Sequence, residues 1–507
     1  MPHRLIYPHT PTTPLLPGTA TGPVSDPDMA RLRASLSGTA LVPGDQGYDT
    51  ARRLWDRRFD PRPAVVAYCA DSPDVATCLA FARTQRMAFR VRSGGHSFAG
   101  YSACDGMILD VSRLDSIAID APGLRATVQA GCAFEKLGPA LAGADVDLPI
   151  GDWPSVSIAG FMMGGGYGLT ARTHGMNCDH VVAVQMMLAD GRIVRADASC
   201  NADLFWAVRG GAGGSFGVLL EITYRLLPHA PTSELVIGWP LASDAGRAAA
   251  VQALLALQAG FARGSAAAAT NISAMALFSA TGAGGGPQPW LVLDAIQVGD
   301  AAALDAAVRP LLAIAGAQPG FNPQTLFRNA DVPPLARAAR YVARDLSAAE
   351  WDRVLGFVLQ TPNPLSIFYL DALGGAINAV PPEACAFIHR DAAFNAWLDV
   401  FWEEDAQMQP ALAFQRDWCA LMAPLTNGRS YQNFPDAALA EFAAAYWGEA
   451  YPALAAVKRK YDPDCRFAFP QAVGRDAPAP VWPPAVLEAL ARPIDTHPAG
   501  KGISDGR

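Results

Sequence analysis

The chain has 507 residues, 51% of them hydrophobic and 17% charged, with a formal net charge of −8. That composition excludes a largely disordered chain, and the acidic balance argues against a nucleic-acid binder held by phosphate contacts. At about 150 residues per domain the length allows two to four domains.

Residues 1–30 are rich in Pro and Thr and read as an arm. They show no apolar leader, so a cytoplasmic protein is expected. Val65–Cys69, Phe89–Arg92 and Met107–Val111 favour strands. Ser72-Pro73-Asp74 starts a helix, with Ser72 as its cap and Pro73 at its first position. Ala126–Gln129 and Val181–Leu188 are further strands, and Asp190-Gly191 turns the chain into a return strand, Arg192–Arg195. Ala202–Val208 is a short helix, and Phe216–Leu227 a long strand ended by Pro228.

The texture changes after Pro228. Arg247–Arg263 and Asp300–Ala315 have helical character; Ile272–Phe278, Trp290–Ile296 and Ile367–Leu373 have strand character. Phe394–Phe401 is a strand leading into a helix through Leu421. This reads as a separate α+β unit, a sheet covered by helices on one face. Beyond Met422 come a loop at Tyr431–Asp436 and helices near Ala437–Trp447 and Pro452–Lys460. The expected segments are an arm (1–30), a first domain (31–228), a second (229–425), a return to the first (426–478) and a Pro-rich tail (479–507). The longest apolar region, Ala248–Ala262, is broken by Gln252 and Gln258, so no membrane span is expected. The nine cysteines form no Cys-x-x-Cys pair and read as packed, reduced thiols. The four lysines (Lys136, Lys458, Lys460, Lys501) leave little scope for Schiff-base chemistry.

Three glycine-rich loops fall in the first half: Arg92-Ser93-Gly94-Gly95-His96-Ser97, Gly164-Gly165-Gly166-Tyr167-Gly168, and Arg209 to Ser215. Glycines let backbone approach a ligand and present N–H groups to an anion, so an acidic protein can hold a pyrophosphate without a basic patch. One such loop is an ordinary turn; three beside strands of one domain point to a ligand. Gly166 to Ala171 also matches G-x-G-x-x-A, with Asp190 downstream. The match does not follow a clear strand, and Asp190 is better used by its turn. His96, between a double glycine and a serine, is placed for a ligand contact or a covalent anchor. No histidine has metal-ligand spacing, so no metal is expected.

These motifs resemble the FAD-linked oxidases of the vanillyl-alcohol-oxidase superfamily, and within it the berberine-bridge-enzyme-like branch. Arg92–Ser97 is similar to that family's R-S-G-G-H-S loop. Gly160–Gly168 is similar to its glycine-rich helix start, and Asp203–Gly211 with Phe216-Gly217-Val218 to a specific signature. Tyr431 and Asn433 are similar to its Y-x-N pair, and Lys460–Pro463 to its tail motif. The resemblance implies an α+β, two-domain PCMH-type FAD-binding fold. Two α/β subdomains would hold FAD, and an α+β substrate domain of antiparallel sheet covered by helices would roof the flavin.

The resemblance further implies that His96 bonds covalently to the flavin. The segment that carries a second, cysteinyl attachment in many members here reads Pro149-Ile150-Gly151-Asp152-Trp153-Pro154-Ser155-Val156, with Trp153 in the cysteine's place. Attachment through His96 alone is expected; Cys132 and Cys178 lie in other loops. By the same likeness the cofactor residues are Arg92, Ser93, Gly94, Gly95, His96, Ser97, Gly151, Trp153, Val156, Gly160, Gly164, Gly165, Gly166, Tyr167, Gly168, Val218 and Asn433. Val156 corresponds to a position where a small side chain favours reaction with oxygen.

The implied reaction is hydride transfer from a small-molecule alcohol, a secondary metabolite or a sugar, to the flavin, then reoxidation by molecular oxygen to hydrogen peroxide. Tyr431 is the candidate base, and would need its pKa lowered to act at neutral pH. Tyr369 and Asp371 are secondary candidates and Asp399 a weaker one, since Asn395–Leu398 offers no carboxylate facing the same way. Trp153 and Trp397 are candidate substrate contacts. Few expected carboxylates, with Trp153, Trp397, Phe401 and Trp402, suggest an apolar or aromatic ligand. The alternatives are an amine or C–N oxidase, and a flavin-fold binding protein with little turnover. A monomer or homodimer is compatible with the sequence.

Overall fold

The computed structural model describes residues 24–262, 268–280, 286–324, 326, 332–474, 492, 494 and 495. Most of the expected arm and tail therefore lie outside the described residues. Among the described residues three large sheets organise the chain, beside a small two-stranded one of Val146–Asp147 and Leu227–Pro228. The first has four strands, in the order Thr39–Leu41, Val65–Tyr68, Met107–Asp110, Phe89–Arg92. Its last three strands run parallel, with Val65 and Phe89 both level with Met107. The helix Ser72–Thr84 makes the crossover these parallel strands require. The second sheet has five antiparallel strands: Ile117–Asp120, Arg125–Gln129, Val218–Arg225, Val181–Met187 and Ile193–Asp197.

One continuous core fills both sheets, from Val65 and Leu109 through Val184 and Ile222, and takes in Tyr431, Trp447 and Leu454 from the end of the chain. That return segment is anchored by Lys458, a buried cation that donates to the carbonyls of Ser215 and Phe467 and to Asp462 at 2.5–2.6 Å. A buried ammonium requires such full pairing.

The third sheet has seven antiparallel strands, in the order Gln318–Pro319, Thr232–Pro240, Gln288–Val298, Thr270–Ser279, Ile367–Ala372, Phe394–Phe401, Leu335–Val342. The helices Asp244–Phe261, Ala301–Leu312, Ala348–Val358 and Asp405–Met422 bury their apolar stripes on one face, around Leu254, Val308, Trp351 and Trp418. The architecture is α+β. The opposite face of this sheet looks onto the glycine loops.

Several local expectations change. A helix, Asp26–Ser35, starts within the expected arm; Ser25 caps it and Met29 and Leu32 are buried. Asp71, not Ser72, caps the next helix, because its carboxylate accepts from the Asp74 N–H. The glycine run at 164–168 follows the helix Ile158–Met163 and does not start one; Gly165 and Gly166, at φ +110° and +72°, are left-handed and end it. The helix near Ala437 shrinks to Phe442–Trp447, since Asp436 turns the chain by accepting from the Ala438 N–H.

Candidate active site

A cavity of about 680 Å³ lies between the glycine loops and the open face of the seven-stranded sheet. That is within the range of cofactor and small-molecule sites. On one side run Ser93–Ser97, Gly151–Trp153 with Val156, and Ala212–Gly214; the roof strands supply Asp294, Ser273, Tyr369, Asp371, Trp397 and Asp399. Gly94 is fixed by close approach: a Cβ there would lie 2.8 Å from the Ser157 nitrogen. Only glycine lets these two loops touch.

His96 borders the cavity with its Nε2 2.9 Å from Ser155 Oγ. Its ring stacks on Trp55 at 5.0 Å, and Trp153 meets Trp55 edge-on at 5.4 Å. Burial pulls its pKa down to about 4, so the imidazole is neutral at physiological pH.

Opposite, Tyr167 leaves the glycine turn and donates its hydroxyl to Asp371 Oδ2 at 2.7 Å. Trp397 Nε1 donates to the same oxygen at 2.6 Å, and Asn395 Nδ2 donates to the Tyr167 hydroxyl at 2.8 Å. Burial raises the pKa of Asp371, although both hydrogen bonds oppose it. Burial likewise carries Tyr167 well up, and the adjacent carboxylate adds to this. Tyr369 and Trp397 stack flat, 3.6 Å apart with a 6° tilt.

Tyr431 lies 5.1 Å from the Tyr167 ring. Its oxygen accepts from the Gly166 N–H at 3.0 Å and from Asn433 Nδ2 at 3.1 Å. Burial nevertheless pushes its pKa above the ordinary value, the opposite of the lowering that a base at neutral pH requires.

Arg337 is a functional candidate absent from the sequence reading. It grips Asp399 with two bonds of 2.7 and 2.6 Å, and its guanidinium covers the rings of Trp397, Phe98 and Phe434 at 3.9, 4.0 and 4.4 Å. Asp399 stands two residues from Trp397 on one strand, so alternation places both on the cavity face. Asp294, also missed, borders the cavity with its pKa raised to about 7 by burial and by neighbouring Glu234.

Of the expected cofactor and substrate residues, Ser93, Gly94, Gly95, His96, Ser97, Gly151, Trp153, Val156, Gly160, Tyr167, Gly168, Asn433 and Trp397 border the cavity, as do Tyr369, Asp371 and Tyr431. Arg92 does not: it is buried behind the first loop, ion-paired with Asp110. Gly164, Gly165 and Gly166 form the turn behind Tyr167; a Cβ at Gly164 would strike the Asn433 amide at 1.9 Å. Val218 is buried, while its neighbours Gly217 and Leu219 reach the wall. Phe401 also reaches it, but Trp402 sits in the helix-covered core. The expectation of a carboxylate-poor pocket is overturned, because Asp152, Asp294, Asp371 and Asp399 all border it.

The residues present fit FAD. Glycine backbone edges the cavity where an anionic centre would sit, and a neutral histidine stacked on Trp55 borders it. Residues 63–197 match the family described as FAD binding domain, and residues 430–474 the one described as berberine and berberine like. An uncharacterized FAD-linked oxidoreductase of Bacillus subtilis, YvdP, is 30% identical over 86% of this chain and 98% of its own. (R)-6-hydroxynicotine oxidase of Paenarthrobacter nicotinovorans is 28% identical over 85% of this chain and 96% of its own. The structure of Physcomitrella patens BBE-like 1 shares the fold, with a TM-score of 0.78 and 24% identity over 89% of this chain and 99% of that one.

Fold and cavity together define an FAD-dependent oxidoreductase. The chain belongs to the FAD-linked oxidoreductases of the berberine-bridge-enzyme-like branch, in the PCMH-type superfamily. Among the described residues, no helix is long and apolar enough to cross a membrane.

Proposed function

We propose that this enzyme is an oxidase of a small-molecule alcohol, and that Tyr167 and Asp371 together take the hydroxyl proton. The observation that carries this reading is the 2.7 Å hydrogen bond from Tyr167 to Asp371 on the cavity wall. Bound FAD would supply the hydride acceptor and pass the electrons to oxygen, giving hydrogen peroxide. The Tyr167 oxygen accepts one bond from Asn395 and keeps a lone pair for a substrate hydroxyl. As that hydroxyl gives up its proton to Tyr167, the phenolic proton moves to Asp371. Burial suits Asp371 to receive it, by favouring the neutral carboxyl. Tyr431, with two donors on its oxygen, supports the Tyr167 ring and orients the substrate.

His96 is the attachment residue in this reading. Ser155 engages Nε2 and leaves the other nitrogen for bond formation, and a neutral ring is the nucleophilic form. Trp153 offers no sulfur for a second bond. Ser93–Ser97 and Ala212–Gly214 would hold the rest of the cofactor. The test is aerobic incubation with a panel of sugars, aromatic alcohols and cyclic amines, measuring peroxide. Peroxide from an alcohol supports the reading; flavin bleaching that air does not reverse would oppose an oxidase.

A second reading, oxidation of an amine, draws on Asp152, Asp294 and Asp371 around the cavity, which suit a cationic substrate, and on the likeness to a hydroxynicotine oxidase. Peroxide from the cyclic amines alone would favour it.

A further inference from the structure

Behind the turn that carries Tyr167 lies a group of side chains that the reaction does not use. Cys178 and Cys385, both fully buried, face each other with Asp179 beside them, and their ligating sulfur and oxygen atoms lie within 4.8 Å of one another. Arg390, also buried, clamps Asp179 with bonds of 2.9 and 2.6 Å and reaches the Cys385 sulfur at 3.4 Å. The two cysteines are 207 residues apart in the chain. The Cys178 N–H donates to the Gly165 carbonyl at 3.0 Å and the Asn177 N–H to that of Gly166 at 2.7 Å. Phe387, two residues past Cys385, donates its N–H to Arg209 and packs against Gly165. The pair thus spans the junction between the site's glycine turn and the loop at 385–390.

Two cysteines and an aspartate could hold a metal ion, but a guanidinium on both Asp179 and Cys385 opposes a cation there. The same guanidinium favours a thiolate. We propose that Cys178 and Cys385 form a redox pair, which hydrogen peroxide closes into a disulfide tying the glycine turn to the 385–390 loop. The Cys178 hydrogen bond and the charges of Arg390 and Arg209 hold the Cys385 thiol below its ordinary pKa, while burial and its partner keep Cys178 a thiol. Cys385 thiolate attacks peroxide: an S–O bond forms, the O–O bond breaks, and the departing hydroxide takes up the proton Cys385 had released. The Cys178 sulfur then displaces water from the sulfenic acid, and its own proton leaves with that water. Two thiols and one peroxide become one disulfide and two waters.

A second close pair supplies the contrast. Cys69 and Cys78 lie 3.9 Å apart in the core, and the Cys78 contact and burial push the Cys69 thiol far up.

The test treats the reduced holoenzyme with added hydrogen peroxide, so its outcome does not depend on which substrate the enzyme oxidises. After denaturation with thiol blocking, intact mass and peptide mapping are measured. A loss of two hydrogens, a Cys178–Cys385 cross-linked peptide, its reversal by dithiothreitol, and a higher melting temperature of the oxidised form are expected. Cys178→Ser and Cys385→Ser should each abolish the cross-link and the melting shift; the wild-type peptide map decides even if either variant misfolds. Both cysteines still alkylatable after peroxide, Cys385 overoxidised without a cross-link, or a stoichiometric bound zinc would overturn the proposal.

Discussion

Tyr167 gives its hydroxyl hydrogen to Asp371 across 2.7 Å, and this one bond joins the glycine turn of the first half to a strand of the roof sheet. If it is the path of the substrate proton, Asp371→Asn keeps the shape and removes the acceptor. The rate of flavin reduction by an alcohol substrate should fall about a hundred- to ten-thousand-fold. Tyr167→Phe should lose a similar amount, and the double variant little more, since the two act as one unit. Tyr431→Phe should mainly raise KM. Anaerobic stopped-flow reduction distinguishes these; a larger loss for Tyr431→Phe than for Asp371→Asn would return the base to Tyr431.

Arg337→Ala should destabilise the fold. It leaves Asp399 charged, buried and unpaired, a situation that costs about 3–5 kcal/mol. It also uncovers three aromatic rings. Urea unfolding measures the loss. Adding Asp399→Leu to Arg337→Met should recover most of it, because a packed apolar pair carries no stranded charge.

Asp294 should make stability depend on pH. Its folded pKa is raised to about 7 by burial and Glu234, so the folded state holds a proton that the unfolded chain releases near its ordinary value of 3.8. Stability therefore falls as pH rises between these values. Asp294→Asn should flatten that slope, leaving stability near pH 4 little changed and raising it above pH 7. Melting temperatures across this range provide the check; an unaltered slope would show that Asp294 is ionised in the folded state throughout.

Val156 borders the cavity on the segment that carries Trp153. Val156→Ile should slow reoxidation by oxygen and leave anaerobic reduction unchanged. Equal reoxidation rates in the two enzymes would remove Val156 from the oxygen path.

The glycine loops and His96 were legible because glycines at close approaches and a histidine among them have few other uses. The helix Ala202–Val208 and the strand Phe89–Arg92 were legible from local residue type, although their burial follows neither a helical nor an alternating pattern. Arg337 was not. Its strand, Leu335–Val342, contains three alanines and two arginines, residues that favour helix in isolation, and only pairing with Phe394–Phe401 makes it extended. Tyr167 was read as a cofactor contact because its partner Asp371 lies 204 residues away, and nothing local signals that bond. Asp294 was hidden for a similar reason: which face its strand presents to the cavity depends on register across the sheet.

The most direct test needs no substrate. The purified protein is precipitated with acid, washed and digested, and the peptide containing His96 is weighed. A yellow precipitate is expected, with one peptide heavier by a single FAD-derived group on His96, absent from His96→Ala. Colourless precipitate with all flavin in the supernatant, or flavin on another residue, would contradict it.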